Sequence, residues 1–294
     1  MLEGIFITAA LVVRILANPL GNVFQKTLTT RGHHPLLVNF LTYLLLGLVC
    51  VVPAYGLAWG TLSPDFWLYS LLGGAVGALG NGFLVKALQK GDLSVLGPIN
   101  AYKAVIGMLG GVLFLGEVPG LWGLAGVALI IYGSYFVLET TGEGFSWVLL
   151  RRSEIRFRLL AMLLTAIEAV FVKKVVLASS VAVAFMGWCW FGALFSGLIL
   201  LVFRVNLRQE MQKLSFRDSP PYLMLIVCVG LMQFTTNYVF DHLPVGYALS
   251  LFQLSTLVSV WFGYRLFQET HIQKKLLGSV IMLVGSVIVI LFKE

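Results

Sequence analysis

The sequence predicts an all-α membrane protein of ten transmembrane helices arranged as two inverted five-helix repeats, and three observations carry that expectation. Of 294 residues, 59% are hydrophobic and 11% are charged, against about 25% charged in an ordinary soluble domain. Apolar runs of roughly 20 residues, each long enough to span a ~30 Å hydrocarbon core, recur from end to end. The run that closes the first half also reappears at the close of the second, with its glycines in register.

The runs lie near residues 3–25, 36–59, 66–89, 93–115, 119–139, 158–178, 181–203, 221–240, 245–266 and 272–292. Long, continuously apolar segments favour helices over barrel strands, and a helix satisfies its backbone polar groups within the segment. The first run opens "MLEGIFITAA", without a basic leader or a small-residue cleavage site, and reads as a retained helix. It carries Arg14, Asn18, Asn22 and Gln25 at spacings of four, four and three, which stacks them on one face. Such a stripe lines a wet space or zips two helices together. Pro19, inside the stripe, lacks an N–H and is expected to kink the helix or free a carbonyl.

The third run holds "GGAVGALGNG" (73–82) and the fourth "GMLGG" (107–111), small-residue spacings that suit close helix packing. In "PINAYKAVIG" (98–107), Pro98 and Asn100 precede Tyr102 and Lys103, so the fourth helix should begin irregularly beside a cavity. The sixth run has Glu168 at its centre, within "LLTAIEAVFVKK" (163–174). "FMGWCWFG" (185–192) supplies Trp188 and Trp190, which either stack on a ligand or pack between helices. Gln233, Asn237 and Gln253 are further hydrogen-bonding candidates on the eighth and ninth runs.

Arg14, Lys103 and Glu168 fall near the middle of their spans, where each costs about 2.5 kcal/mol or more on insertion scales. They should therefore face a cavity or one another. With all three ionised the centre is net cationic and favours a carboxylate, a phosphate or a zwitterion. Glu168 reads either as a proton-exchanging group or as the partner of Lys103 in a fixed salt bridge. A cation held by Glu168 and the tryptophans is the opposite reading of the same residues.

The repeat pairs "LGEVPGLWGLAGVALIIYGSYFVL" (115–138) with "FQETHIQKKLLGSVIMLVGSVIVIL" (267–291). At an offset of 152, Glu117 meets Glu269, Gly126 meets Gly278, Gly133 meets Gly285 and Ser134 meets Ser286. A shorter echo at an offset of 147 pairs "VFQK" (23–26) with "VFVK" (170–173), which sets the sixth helix opposite the first and Thr165 opposite Asn18. The halves are then residues 1–140 and 158–294, joined by a basic connection over 141–157. An odd number of crossings per half inverts one relative to the other.

The net charge is +7, but the basic residues gather at helix ends, which suits anchoring to anionic lipid and not nucleic-acid binding. Fifteen Lys and Arg lie on the side of the loops after odd-numbered helices and three on the other, so the positive-inside rule places the odd loops in the cytoplasm and both termini outside. Cys50, Cys189 and Cys228 lie within spans without metal-ligand spacing and read as buried thiols. No cluster has metal, nucleotide or acyl-transfer spacing, so no cofactor and no enzymatic activity are expected.

"NPLGNVFQK", "HHPLLVNF", "ALQKGDLSVLGPI", "FLGE" and the repeated glycine-bearing segment together resemble the drug/metabolite transporter superfamily of EamA type. The resemblance implies ten helices in an inverted repeat around a central cavity, working by alternating access. Two features depart from it: the family has cytoplasmic termini, and the second copy of "LGE" here reads "FQE". The expected activity is secondary-active export or exchange of a small organic metabolite, as an anion or amino-acid-like zwitterion, with proton coupling at Glu168. A cationic drug or quaternary amine, a lipid-linked substrate or a channel are the alternatives. The expected partners are the substrate and the lipid bilayer of a bacterial inner membrane, with the chain a monomer or homodimer and no nucleic acid involved.

Overall fold

The computed structural model describes residues 2–106, 120–139 and 151–291. Among these the chain forms α1 (Leu2–Thr30), α2 (Pro35–Val49, continued by Val51–Ala54) and α3 (Pro64–Lys90). An interrupted α4 (Leu93–Ile106) and α5 (Leu121–Glu139) follow. Next come α6 (Ser153–Leu177), α7 (Val181–Val202), α8 (Ser219–His242), α9 (Val245–Phe252 and Ser255–Phe267) and α10 (Ile272–Leu291). Seven of the described helices are long and apolar enough to cross a membrane, and Pro35–Val49 and Leu93–Ile106 are shorter apolar helices.

The helix starts follow from local chemistry. Pro64 opens α3, and the Ser63 side chain accepts the Phe66 N–H; Ser180 caps α7 in the same way through the Val183 N–H. The tight turn from α1 to α2 depends on Gly32, whose φ of 98° is open to glycine at no steric cost.

Each predicted run contains helix, with shifted ends. α1 continues to Thr30 where an end near 25 is expected, α2 stops at Val49, and α6 begins at Ser153, five residues before the predicted 158. Pro19 lies inside α1 without interrupting it. The end of the fourth run, the 107–111 glycines, Glu117 and residues 141–150 of the connection lie outside the described residues.

α4 and α9 are both broken. In α4 the helix Leu93–Leu96 gives way at Gly97 to a 3-10 turn over Pro98–Ala101, as expected where Pro98 has no N–H to donate. In α9 the break falls between Phe252 and Ser255, and the two breaks touch where Gln253 Nε2 donates to the Asn100 carbonyl at 3.2 Å.

The helices pack in antiparallel pairs around these breaks. Along α3 and α6, Gly73 faces Phe171, Gly77 faces Glu168 and Gly80 faces Leu164 and Thr165, so one helix ascends as the other descends. α1 runs against α8, with Gly21 on Cys228 and Val229 and Arg14 bonded to Thr236. α2 runs against α7, with Gly47 on Trp190 and Gly192 on Tyr43. α5 and α10 meet through their repeated glycines, where Gly126 lies on Gly285 and Gly133 on Gly278. The outward faces carry exposed apolar side chains such as Val12, Leu48, Leu71 and Leu198, as a surface solvated by lipid requires.

Candidate functional site

A central cavity opens among α1, α3, α4, α6, α7, α8 and α9, with about 870 Å³ of space free of atoms, part of it open to solvent. Arg14, Asn18 and Asn22 of the α1 stripe line it together with Lys103, Glu168, Trp188, Gln233 and Gln253. Gln25, the last member of the stripe, lies in an adjoining hollow that shares Asn18, Asn22 and Trp188 with the main cavity. The four-residue periodicity of α1 thus becomes a polar wall.

Arg14 is fixed on two sides. Its Nε donates to Thr236 Oγ1 on α8 at 2.7 Å, and its guanidinium lies over the Phe252 ring at 4.5 Å. Its Nη1 is buried without a hydrogen-bond partner. Such a group costs free energy unless water or a ligand completes it. Lys103 is half-buried just beyond the break in α4 and has no hydrogen-bond or ion-pair partner among the described residues.

Glu168 is 8% exposed, and its carboxylate accepts the Trp188 indole N–H at 2.8 Å. No Lys or Arg among the described residues lies within ion-pair distance of it, so a direct salt bridge to Lys103 is absent from this conformation. Room for the carboxylate exists because Gly77 of α3 has no side chain; a methyl there would collide with Glu168 Oε1. Trp188 is held in turn by Tyr43, with ring centroids 4.6 Å apart. Its ring packs against protein while its N–H serves the carboxylate.

Besides Gln25, three of the candidate residues lie off the cavity wall. Tyr102 turns to α5, where its hydroxyl donates to Ser134 Oγ at 2.8 Å. Trp190 donates to the Gly47 carbonyl at 3.0 Å and packs on Trp59. Asn237 is fully buried and pairs with Gln233 at 2.9 Å, so it supports a lining residue from behind. Each is within four residues of one that does face the cavity.

Arg158, Asn81 and Asn100 also line the cavity and are not among the sequence candidates. Arg158 is 4% exposed, with Nε donating to the Leu96 carbonyl at 2.6 Å, at the break in α4. In the sequence it sits at the predicted helix end among Arg151, Arg152 and Arg156, where it reads as a lipid-anchoring residue. Its seven-residue spacing to Thr165, two helical turns, is the signal that places it on the Glu168 face. Asn81 donates to the Tyr43 hydroxyl at 2.6 Å.

At the end of the bundle carrying the loops after odd-numbered helices, Glu269 joins three helices. It pairs with Lys26 of α1 at 2.9 Å and accepts the Leu93 and Ser94 N–H groups at 2.8 and 2.9 Å, as well as the Ser94 hydroxyl. Lys26 also donates to the Gly91 carbonyl at 3.0 Å. Burial favours the protonated Glu269, but Lys26 and the Ser94 donors outweigh it and hold its pKa below the ordinary carboxylate value.

Helices of bilayer length gathered around a charged polar cavity define a multi-pass membrane protein. Residues 9–139, covering α1 to α5, match the EamA-like transporter family. The resemblance read from the motifs is borne out over that part, and with it the coarse assignment of the chain as a membrane transporter of small molecules. A solved crystal structure superposes with a TM-score of 0.66 at 15% identity, covering 97% of this chain and 98% of its own, a likeness of fold alone. No curated protein matches the sequence.

Proposed function

We propose that the chain is a secondary-active carrier that exports or exchanges a small organic anion or amino-acid-like zwitterion by alternating access. The observation that carries this reading is the central cavity, whose wall holds Arg14, Lys103 and Arg158 against one carboxylate among the described residues, that of Glu168. A carboxylate on the substrate completes the unpartnered Arg14 Nη1, and Asn18, Asn22, Gln233 and Gln253 supply neutral hydrogen bonds around it. Glu168 takes up and releases the coupling proton, with Trp188 as its fixed donor.

The architecture behind this reading is ten transmembrane helices in two inverted repeats, 1–140 and 158–294, in a bacterial inner membrane with both termini outside. Its support is reciprocal contact: at the sequence offset of 152 Gly126 corresponds to Gly278 and Gly133 to Gly285, and the contact of Gly126 with Gly285 is the counterpart of that between Gly278 and Gly133. The Lys26 bond to Gly91, at the end of α3, likewise has a counterpart in the bond from Lys173 to the Phe240 carbonyl, near the end of α8. Two halves related in this way exchange access from one side to the other around a fixed centre.

The test is flux in liposomes holding the purified chain. Saturable counterflow of labelled organic acids or amino acids, accelerated by a pH gradient, is the expected result. Conductance without exchange would point to a channel, and counterflow confined to quaternary amines would favour the Glu168–Trp188 pair as a cation site.

A further inference from the structure

We infer that the substrate is a small organic dianion, with two acidic groups held at separate points of the cavity; this rests on the anion-carrier reading above. Among the described residues the cavity wall contributes three basic side chains and one acidic one. None of Arg14, Lys103 and Arg158 forms an ion pair with a protein carboxylate among the described residues. The two guanidinium groups stay protonated at any physiological pH, and an ammonium in this position is a cation unless it gives up its proton. With all four groups ionised, Glu168 offsets one of the three, which leaves an excess of two positive charges inside a bilayer, where uncompensated charge is costly. A zwitterion leaves that excess untouched and a monoanion leaves half of it. A dianion removes it.

The basic groups also stand apart. Arg14 is braced against α8 and α9 by Thr236 and Phe252, whereas Arg158 is braced against the α4 break by the Leu96 carbonyl. On α6, Arg158 precedes Glu168 by ten residues, about 15 Å along the helix axis. One acidic group engages Arg14, whose Nη1 has no partner, and the second engages Arg158 with Lys103. The class is therefore dicarboxylates, or molecules that join a carboxylate to a phosphate.

The experiment uses the purified full-length chain in lipid nanodiscs at neutral pH. Unbranched dicarboxylates of three to six carbons are titrated beside monocarboxylates of equal carbon count and a tetraalkylammonium ion, with binding read by calorimetry. At least one dicarboxylate should bind tenfold or more tighter than its matched monocarboxylate. R158Q should erase that difference, with a thermal midpoint near wild type reporting that the variant is folded, and R158K should retain it. Equal affinities for the matched acids, or an R158Q protein that still prefers the dicarboxylate, would overturn the dianion inference and leave the anion-carrier reading standing. Binding of the tetraalkylammonium ion alone would overturn both.

Discussion

The Glu168 carboxylate lies against the Cα of Gly77, so that the absence of one side chain on α3 is what admits this acidic group to the cavity wall. A carboxylate buried in this way needs a donor and a space, and Trp188 and Gly77 supply them separately. Replacing Gly77 with Ala is expected to push Glu168 out of line with Trp188 or to separate α3 from α6. Overpacking of this kind costs about 1–3 kcal/mol. G77A should therefore lower the thermal midpoint in detergent and reduce counterflow by tenfold or more. A variant with wild-type midpoint and flux would show that the carboxylate does not depend on this contact.

Glu168→Gln separates charge from shape. The amide keeps an oxygen to accept the Trp188 N–H, so folding should be near wild type. What disappears is the group proposed to bind and release a proton. Flux driven by a pH gradient should fall to the level of passive exchange, while counterflow at equal pH on both sides persists. Undiminished proton-driven flux in E168Q would assign coupling to another group, of which Lys103 is the titratable one nearest in kind.

The Lys26–Glu269 pair gives a prediction in pH. The pKa of Glu269 is held below its ordinary value of 4.5, because Lys26 and the Ser94 donors outweigh burial. A depressed carboxylate pKa stabilises the folded state above the unfolded value, and the contribution is lost as pH falls through the folded one. The thermal midpoint should accordingly show no Glu269 contribution to its slope at neutral pH and fall in acid below about 4.5. E269Q should lie lower at neutral pH by about 3 kcal/mol, since it leaves Lys26 buried without its partner. Its acid slope should be shallower than wild type. Parallel acid slopes in the two proteins would exclude Glu269 as the source.

The helices and the α1 stripe are legible in the sequence because both are local: apolar length defines a span, and a spacing of four, four and three defines a face. The break in α4 is legible for the same reason, since Pro98 acts through its own missing N–H. Arg158 escapes notice because an arginine near a predicted helix end has the composition of a lipid anchor, and only the earlier start of α6 carries it inward. Tyr102 and Trp190 err in the other sense. Tyr102 adjoins Lys103 and Trp190 follows Trp188 by two positions, yet on a helix each residue turns the side chain by about 100°. Asn81 hides in a segment whose glycines suggest packing alone. The Lys26–Glu269 pair spans 243 residues, and no local pattern announces such a meeting.

The contact between α5 and α10 can be tested from both of its sides. A methyl on Gly133 would stand 2.7 Å from the Gly278 carbonyl oxygen, and one on Gly278 would stand 2.5 Å from that of Gly133. The obstacle in each case is backbone, which cannot rotate aside, so the helices must separate and lose the packing that holds them in lipid. G133A and G278A should each destabilise by about 1–3 kcal/mol. Because they strain the same contact from its two sides, the double variant should cost less than the sum of the singles. Gly60, where a methyl would meet nothing within 4 Å, is the matched control, and G60A should leave the midpoint unchanged. Full additivity of G133A and G278A would mean that the two glycines do not share one contact.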